Sequence, residues 1–163
     1  MLKYVILLGG LLLAGCGFQP LYVAHDDVFN QTAAIQIEPI TGQEGYQAEL
    51  ILQKRLNPEQ VKVAPKYKLT VTFHSPTYSN QSIRGDNLAT LEKMSIKATY
   101  KLVNIQKNKV VIESSVDANG LYNLIKSPYA TVTHQEKLYD NLIQAMADDI
   151  ATHVLSYFKG VKP

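Results

Sequence analysis

Apolar and polar residues alternate with a period of two along three long stretches of this 163-residue chain. Residues 66–74 place Tyr67, Leu69, Val71 and Phe73 on one side and Lys66, Lys68, Thr70, Thr72 and His74 on the other. That pattern predicts a half-buried strand with a polar outer face. Residues 92–105 repeat it, with Met94, Ile96, Ala98, Tyr100 and Leu102 set against Lys93, Lys97 and Lys101. In residues 110–120, Val110, Ile112, Val116 and Ala118 share one parity. A three-residue loop between these two runs, with Asn108 in the left-handed conformation it tolerates, pairs Leu102 with Ile112 and Ala98 with Val116. The same register sets Lys101 opposite Glu113 and Lys97 opposite Asp117, so charge agrees with burial of one face. A shorter alternation over residues 34–40, Ile35 and Ile37 against Gln36 and Glu38, stops at Pro39.

Two other stretches follow the helical period. Gln43–Leu56 is rich in helix formers and puts Ala48, Ile51, Leu52, Arg55 and Leu56 on one side, and Asn57-Pro58 ends it. Near the carboxyl end, Leu138, Leu142, Met146, Ile150, Val154 and Phe158 recur every four residues, joined by Ile143, Ala147 and Leu155. This predicts a helix of about 25 residues, stopped by Gly160 and Pro163. Ser127-Pro128 fits a cap with a first-turn proline, and Thr133-x-x-Glu136 a capping box. Residues 75–87, with Pro76, Gly85, three serines and two asparagines, read as a loop.

The order β-α-β-β-β-α predicts an α+β fold. It is a two-layer sandwich, with two helices packed on one face of a four-stranded, mostly antiparallel sheet, and it fills residues 34–160 as a single domain. The other sheet face carries Lys66, Lys68, Lys93, Lys97 and Lys101, with Arg84 in the adjoining loop. Two readings fit this face. Either it is solvated and partly neutralised by Glu113 and Asp117, or its cations meet an anionic lipid head group or the lumen of a partner.

The amino-terminal stretch follows a different logic. One cation, Lys3, precedes an apolar run over residues 4–13, too short for a membrane-spanning helix and of the right length for a signal peptide. The run ends in Leu13-Ala14-Gly15-Cys16, the form of a bacterial lipobox. Residues 1–15 then read as a lipoprotein signal peptide, and Cys16 as the lipid attachment site, carrying a diacylglycerol and an acyl chain. Two or three acyl chains hold a protein stably on a bilayer, where one does not. With Gly17 after the cysteine instead of an aspartate, the outer membrane is favoured, with the chain on its periplasmic face. Residues 16–33 show no sustained periodicity and read as a lipid-anchored tether, partly ordered at most.

Composition narrows the functional classes. The chain has 16 basic and 14 acidic residues, which gives no strongly basic face for nucleic acid. Its lone cysteine leaves no internal disulfide, so a packed core must hold the fold. The nucleophile-elbow, zincin, P-loop and dinucleotide-binding motifs are all missing. His25, His74, His134 and His153 lack metal-ligand spacing, and Asp148-Asp149 cannot share one helix face. The chain reads as a non-enzyme with no metal and no dissociable cofactor.

One resemblance covers nearly the whole mature chain. Gly15-Cys16-Gly17-Phe18-Gln19-Pro20-Leu21-Tyr22 resembles the mature start of the LptE family of lipopolysaccharide-assembly lipoproteins in its alphaproteobacterial form. Ile35-Gln36-Ile37 leading into a helix resembles the family's first strand and helix, and Tyr100-Lys101-Leu102-Val103 its central hairpin. Ser127-Pro128-Tyr129-Ala130 and Ala147-Asp148-Asp149-Ile150 resemble its carboxyl end. A departure is the scarcity of arginine, since the first helix holds only Arg55. The resemblance implies a protein that plugs the outer-membrane β-barrel LptD and helps lipopolysaccharide reach the outer leaflet, with no turnover of its own. The alternative is an auxiliary lipoprotein of an ABC-type lipid transporter in the periplasm.

Overall fold

The computed structural model describes residues 26–83, 89–124 and 128–160. The expected signal peptide, Cys16 and Arg84 lie outside the described residues. In chain order the elements are α1 (Asp26–Ala33), β1 (Ile35–Ile37), α2 (Gln43–Leu56), β2 (Tyr67–Phe73), β3 (Thr77–Ile83), β4 (Ala89–Asn104), β5 (Lys109–Asn123) and α3 (Pro128–Phe158). The class is the expected one: a mixed α+β fold in which a mainly antiparallel sheet packs against helices.

β4 is the spine of the sheet. One of its edges is paired along nearly its whole length by β5, from Leu91↔Asn123 to Asn104↔Lys109. The other edge is shared by two strands placed end to end. β2 pairs with the carboxyl half, from Phe73↔Ala98 to Tyr67↔Asn104, and β3 with the amino half, from Thr77↔Ser95 to Ile83↔Ala89. β1 then adds to β2 in parallel, with Ile37 beside Leu69.

The expected β4–β5 register is present: Leu102↔Ile112, Ala98↔Val116, Lys101↔Glu113 and Lys97↔Asp117. It is reached differently from the expectation, because Asn104 pairs with Lys109 and Val103 with Val110. The turn is therefore one residue longer, and an irregularity that leaves Val111 unpaired restores the face alternation. Asn108 does adopt the left-handed region, with φ 45°.

Three expectations are corrected. Residues 77–83, expected as loop, form β3, so the sheet has five strands instead of four; its backbone pairs with β4 although residues 77–81 are all exposed. Residues 26–33, the last part of the expected tether, form α1, which ends with Thr32 at 2% and Ala33 at 8% exposure, so packing against the domain begins before the expected boundary at residue 34. Thr133 does not cap α3, because the helix starts at Pro128 and the Thr133 hydroxyl donates to the Tyr129 carbonyl 3.1 Å away. Proline is at home in a first turn, where no intrahelical partner awaits its missing N–H.

The core lies between the helices and one sheet face. Leu69, Val71, Ile96, Ala98, Tyr100 and Leu102 meet Ala48, Leu52 and Leu56 of α2 and Ile143, Met146, Ile150 and Val154 of α3. Each large aliphatic side chain buried here contributes about 1.5–3 kcal/mol. α3 lies over β5 and against α2, and Arg55 Nε donates to Asp148 Oδ1 at 2.7 Å across the two helices. At the carboxyl end of α3, Phe158 meets Tyr67 edge to face with ring centroids 5.0 Å apart.

Candidate binding surface

The face of the sheet away from the helices is where the candidate cations gather. β2, β4 and β5 project Lys68, Thr70, Lys97, Thr99, Lys101, Glu113 and Asp117 to it by simple alternation. Two lysines are already engaged. Lys68 Nζ lies 2.9 Å from Glu38 Oε1, and Lys101 Nζ lies 3.0 Å from Glu113 Oε1. Glu38 also accepts from Thr70 Oγ1 at 2.6 Å. That hydrogen bond, and then the one from Lys68, hold the Glu38 carboxyl below its ordinary value of 4.5, with burial acting in the opposite direction. Among the described residues, Lys66, Lys93 and Lys97 form no ion pair.

The face is not flat. Where β2 gives way to β3, the strand breaks at residues 74–76, and the His74 amide still reaches the Lys97 carbonyl at 2.9 Å. The break opens a hollow of about 310 Å³ lined by His74, Thr77, Ser95, Lys97, Asp117 and Asn119 among others. Lys97 thus lines a concavity whose floor includes Ile96 and Ala118, whereas Lys68 and Lys101 lie beyond it. Lys66 stands at the start of β2, and Lys93 in the half of β4 paired by β3. The structure therefore gathers Lys97 with His74 and Asp117 and leaves the other cations spread over the face. The sequence register already sets Lys97 opposite Asp117, whereas nothing in it brings His74 to them. The available signal was Pro76, which a continuous central strand does not tolerate.

A second hollow, of about 360 Å³, lies on the helix side of β3 and is lined by Pro76, Tyr78, Met94, Val132, Gln135, Glu136 and Tyr139. Burial raises the Tyr139 phenol above its usual value, and the Glu44 carboxylate adds to the shift. Tyr122, hydrogen-bonded to Glu92, is raised for the same reasons. His153 sits half-buried with Nδ1 2.8 Å from the Tyr100 hydroxyl. Among the described residues no cluster of His, Cys, Asp and Glu is placed to hold a metal, and no helix is long and apolar enough to cross a membrane.

No family model matches the chain. An uncharacterized protein, RP188, of Rickettsia prowazekii (strain Madrid E) is 29% identical over 147 residues, covering 90% of this chain and 91% of that protein. Solved structures share the fold. A candidate lipoprotein from Caulobacter crescentus CB15 superimposes with a TM-score of 0.61 at 16% identity, covering 84% of this chain and 99% of its own. Rare lipoprotein B from Shewanella oneidensis gives 0.53 at 14% identity, covering 77% and 95%. Uncharacterized lipoprotein B from Nitrosomonas europaea gives 0.60 at 10% identity, covering 77% and 82%. The architecture is thus one that lipoproteins of several bacteria adopt.

Proposed function

We propose that this protein is an LptE-like lipoprotein, anchored through acylated Cys16 to the periplasmic face of the outer membrane. There it occupies the lumen of an LptD-like β-barrel and assists lipopolysaccharide on its way to the outer leaflet. The reading is carried by one coincidence: a Leu-Ala-Gly-Cys16 lipidation motif stands ahead of a fold shared with rare lipoprotein B and its like. The sheet supports it physically. Outer-membrane barrels are polar inside, and a plug needs a polar face toward that wall and an apolar core of its own. The protein works by binding and carries no catalytic step.

Lys66, Lys68, Arg84, Lys93, Lys97 and Lys101 are the candidate contacts to lipopolysaccharide or the barrel. Lys97, beside the hollow and without an ion-pair partner among the described residues, ranks first. Tagging the chain and solubilising membranes should recover a large β-barrel with it, and recovery of the chain alone counts against the reading. Depletion provides the second arm. Loss of surface lipopolysaccharide is expected, whereas an auxiliary subunit of a lipid transporter would leave it in place.

A further inference from the structure

Three segments meet at one end of the sandwich. The connection between α2 and β2 (residues 57–66) joins the turn end of the β4–β5 hairpin, where the Ile105 amide donates to the Lys66 carbonyl at 2.9 Å. Phe158, at the end of α3, packs on Tyr67 beside them. The first segment exposes Val61 and Val63 at 37% and 41%, flanked by Lys62 and Lys66. The hairpin exposes Ile105 and Val110 at 43% and 41%, around Lys107 and Lys109. The helix end adds Tyr157, 42% exposed, and Lys159. Glu59 is the one acidic residue in these segments.

Scattered exposed apolar side chains are ordinary. Here they interleave with five lysines (Lys62, Lys66, Lys107, Lys109 and Lys159) on one end. The opposite end carries charge of both signs: there Glu44, Glu136, Lys93 and Lys137 stand with the exposed Tyr46, Tyr129 and Val132. Aliphatic side chains among lysines suit the boundary between acyl chains and anionic head groups. We propose that this end of the sandwich docks on an anionic phospholipid bilayer, Val61, Val63, Ile105 and Val110 dipping below the phosphates that the lysines contact.

The position of the amino terminus fits. α1 ends at this end, because the Lys66 amide donates to the Ala34 carbonyl at 2.9 Å. The eight residues of α1 span about 12 Å, so the chain enters the helix at Asp26 within about that distance of this end. Residues 17–25 add a reach of at most about 30 Å back to Cys16. This geometric point rests on the lipoprotein reading; the charge and exposure of the end do not. Docking fixes the molecule's long axis relative to the membrane, which an acyl anchor by itself leaves free.

The test uses lipidated protein reconstituted into phosphatidylcholine vesicles with or without about one-third phosphatidylglycerol, the anionic charge that attracts lysines. Nitroxide labels go on Val63→Cys, Val110→Cys and, as a control on the outward side of α3, Gln144→Cys. Accessibility to oxygen against a water-soluble nickel chelate reports depth. Labels at 63 and 110 should enter the lipid phase with phosphatidylglycerol, while the label at 144 stays aqueous. Adding Lys62→Glu, Lys107→Glu and Lys109→Glu should abolish the entry while circular dichroism stays native. Labels at 63 and 110 as water-accessible as the one at 144 overturn the proposal. So does shielding that appears only with an outer-membrane barrel and never with lipid, which would assign this end to a protein partner. Labelling of Cys16 itself would instead show an unacylated thiol, a failure of the lipoprotein reading and not of this one.

Discussion

β2 and β3 lie end to end on the same edge of β4, yet they are held there by different forces. β2 reads Tyr-Lys-Leu-Thr-Val-Thr-Phe, buries Leu69 completely and Val71 to 6% exposure, and is flanked on its far side by β1. β3 reads Thr-Tyr-Ser-Asn-Gln-Ser-Ile, shows residues 77–81 to solvent, and has β4 as its one partner among the described residues. The first strand is specified by what its side chains bury, the second by the hydrogen-bonding groups β4 offers. Burial sets a unique register, while a ladder without burial sets it weakly. β3 accordingly shows register shifts at Asn80, Ser82 and Ile83, where β2 has none.

The sharpest way to break this contrast is to truncate one side chain in each strand. Leu69→Ala leaves a cavity under α2 and should cost about 2–5 kcal/mol, a large fraction of an ordinary domain's stability of about 5–15 kcal/mol. Ser79→Ala, on an exposed position of β3, should change stability by no more than about 0.5 kcal/mol. Urea unfolding midpoints measure both. Equal losses would mean that β3 is held by side chains after all.

The same contrast explains what the sequence disclosed. Alternation and four-residue spacing mark positions that bury something, so β2, the central hairpin and the stripe of α3 were legible, and so was the pairing of Lys101 with Glu113. β3 left no such mark, since its polar residues look like a loop until β4 is beside them. α1 was illegible for a related reason: eight residues whose buried positions, Thr32 and Ala33, fall together at its end give too little periodicity to detect. The lysine face was legible as a set of cations, but its hollow was not. A concavity arises from where β2 stops and β3 starts, and only Pro76 hinted at a break there.

A second probe removes the cover from β2 instead of its side chains. α2 passes so close to the preceding turn that a Cβ on Gly45 would stand 2.4 Å from the Ile40 carbonyl oxygen. In an exposed helix, glycine to alanine gains about 1 kcal/mol. Here the backbone of residue 40 must move, so Gly45→Ala should destabilise by about 1–3 kcal/mol, as overpacking does. For a domain of this size that is a few degrees in Tm per kcal/mol. Thermal unfolding followed by circular dichroism reads the sign directly, and a rise in Tm would show that α2 is free to slide over the sheet.

The smallest effect sought is electrostatic and lies on the polar side of β2. Glu38, just past β1, accepts from Thr70 and pairs with Lys68, two partners that tie β1 to β2 from outside. Because these partners hold the folded-state carboxyl below its ordinary 4.5, its stabilising contribution is fully present above that value and fades as pH falls through the depressed one. The stability difference between the parent chain and Glu38→Gln should therefore be constant from neutral pH down to about pH 5 and shrink on further acidification. Taking the difference cancels every other group that titrates alike in both chains. If the gap between the two unfolding midpoints stays the same through the acid range, the Glu38 cluster is a passive contact. β2 would then resemble β3 on its outer side, with the whole difference between the strands lying in what each buries on the inner one.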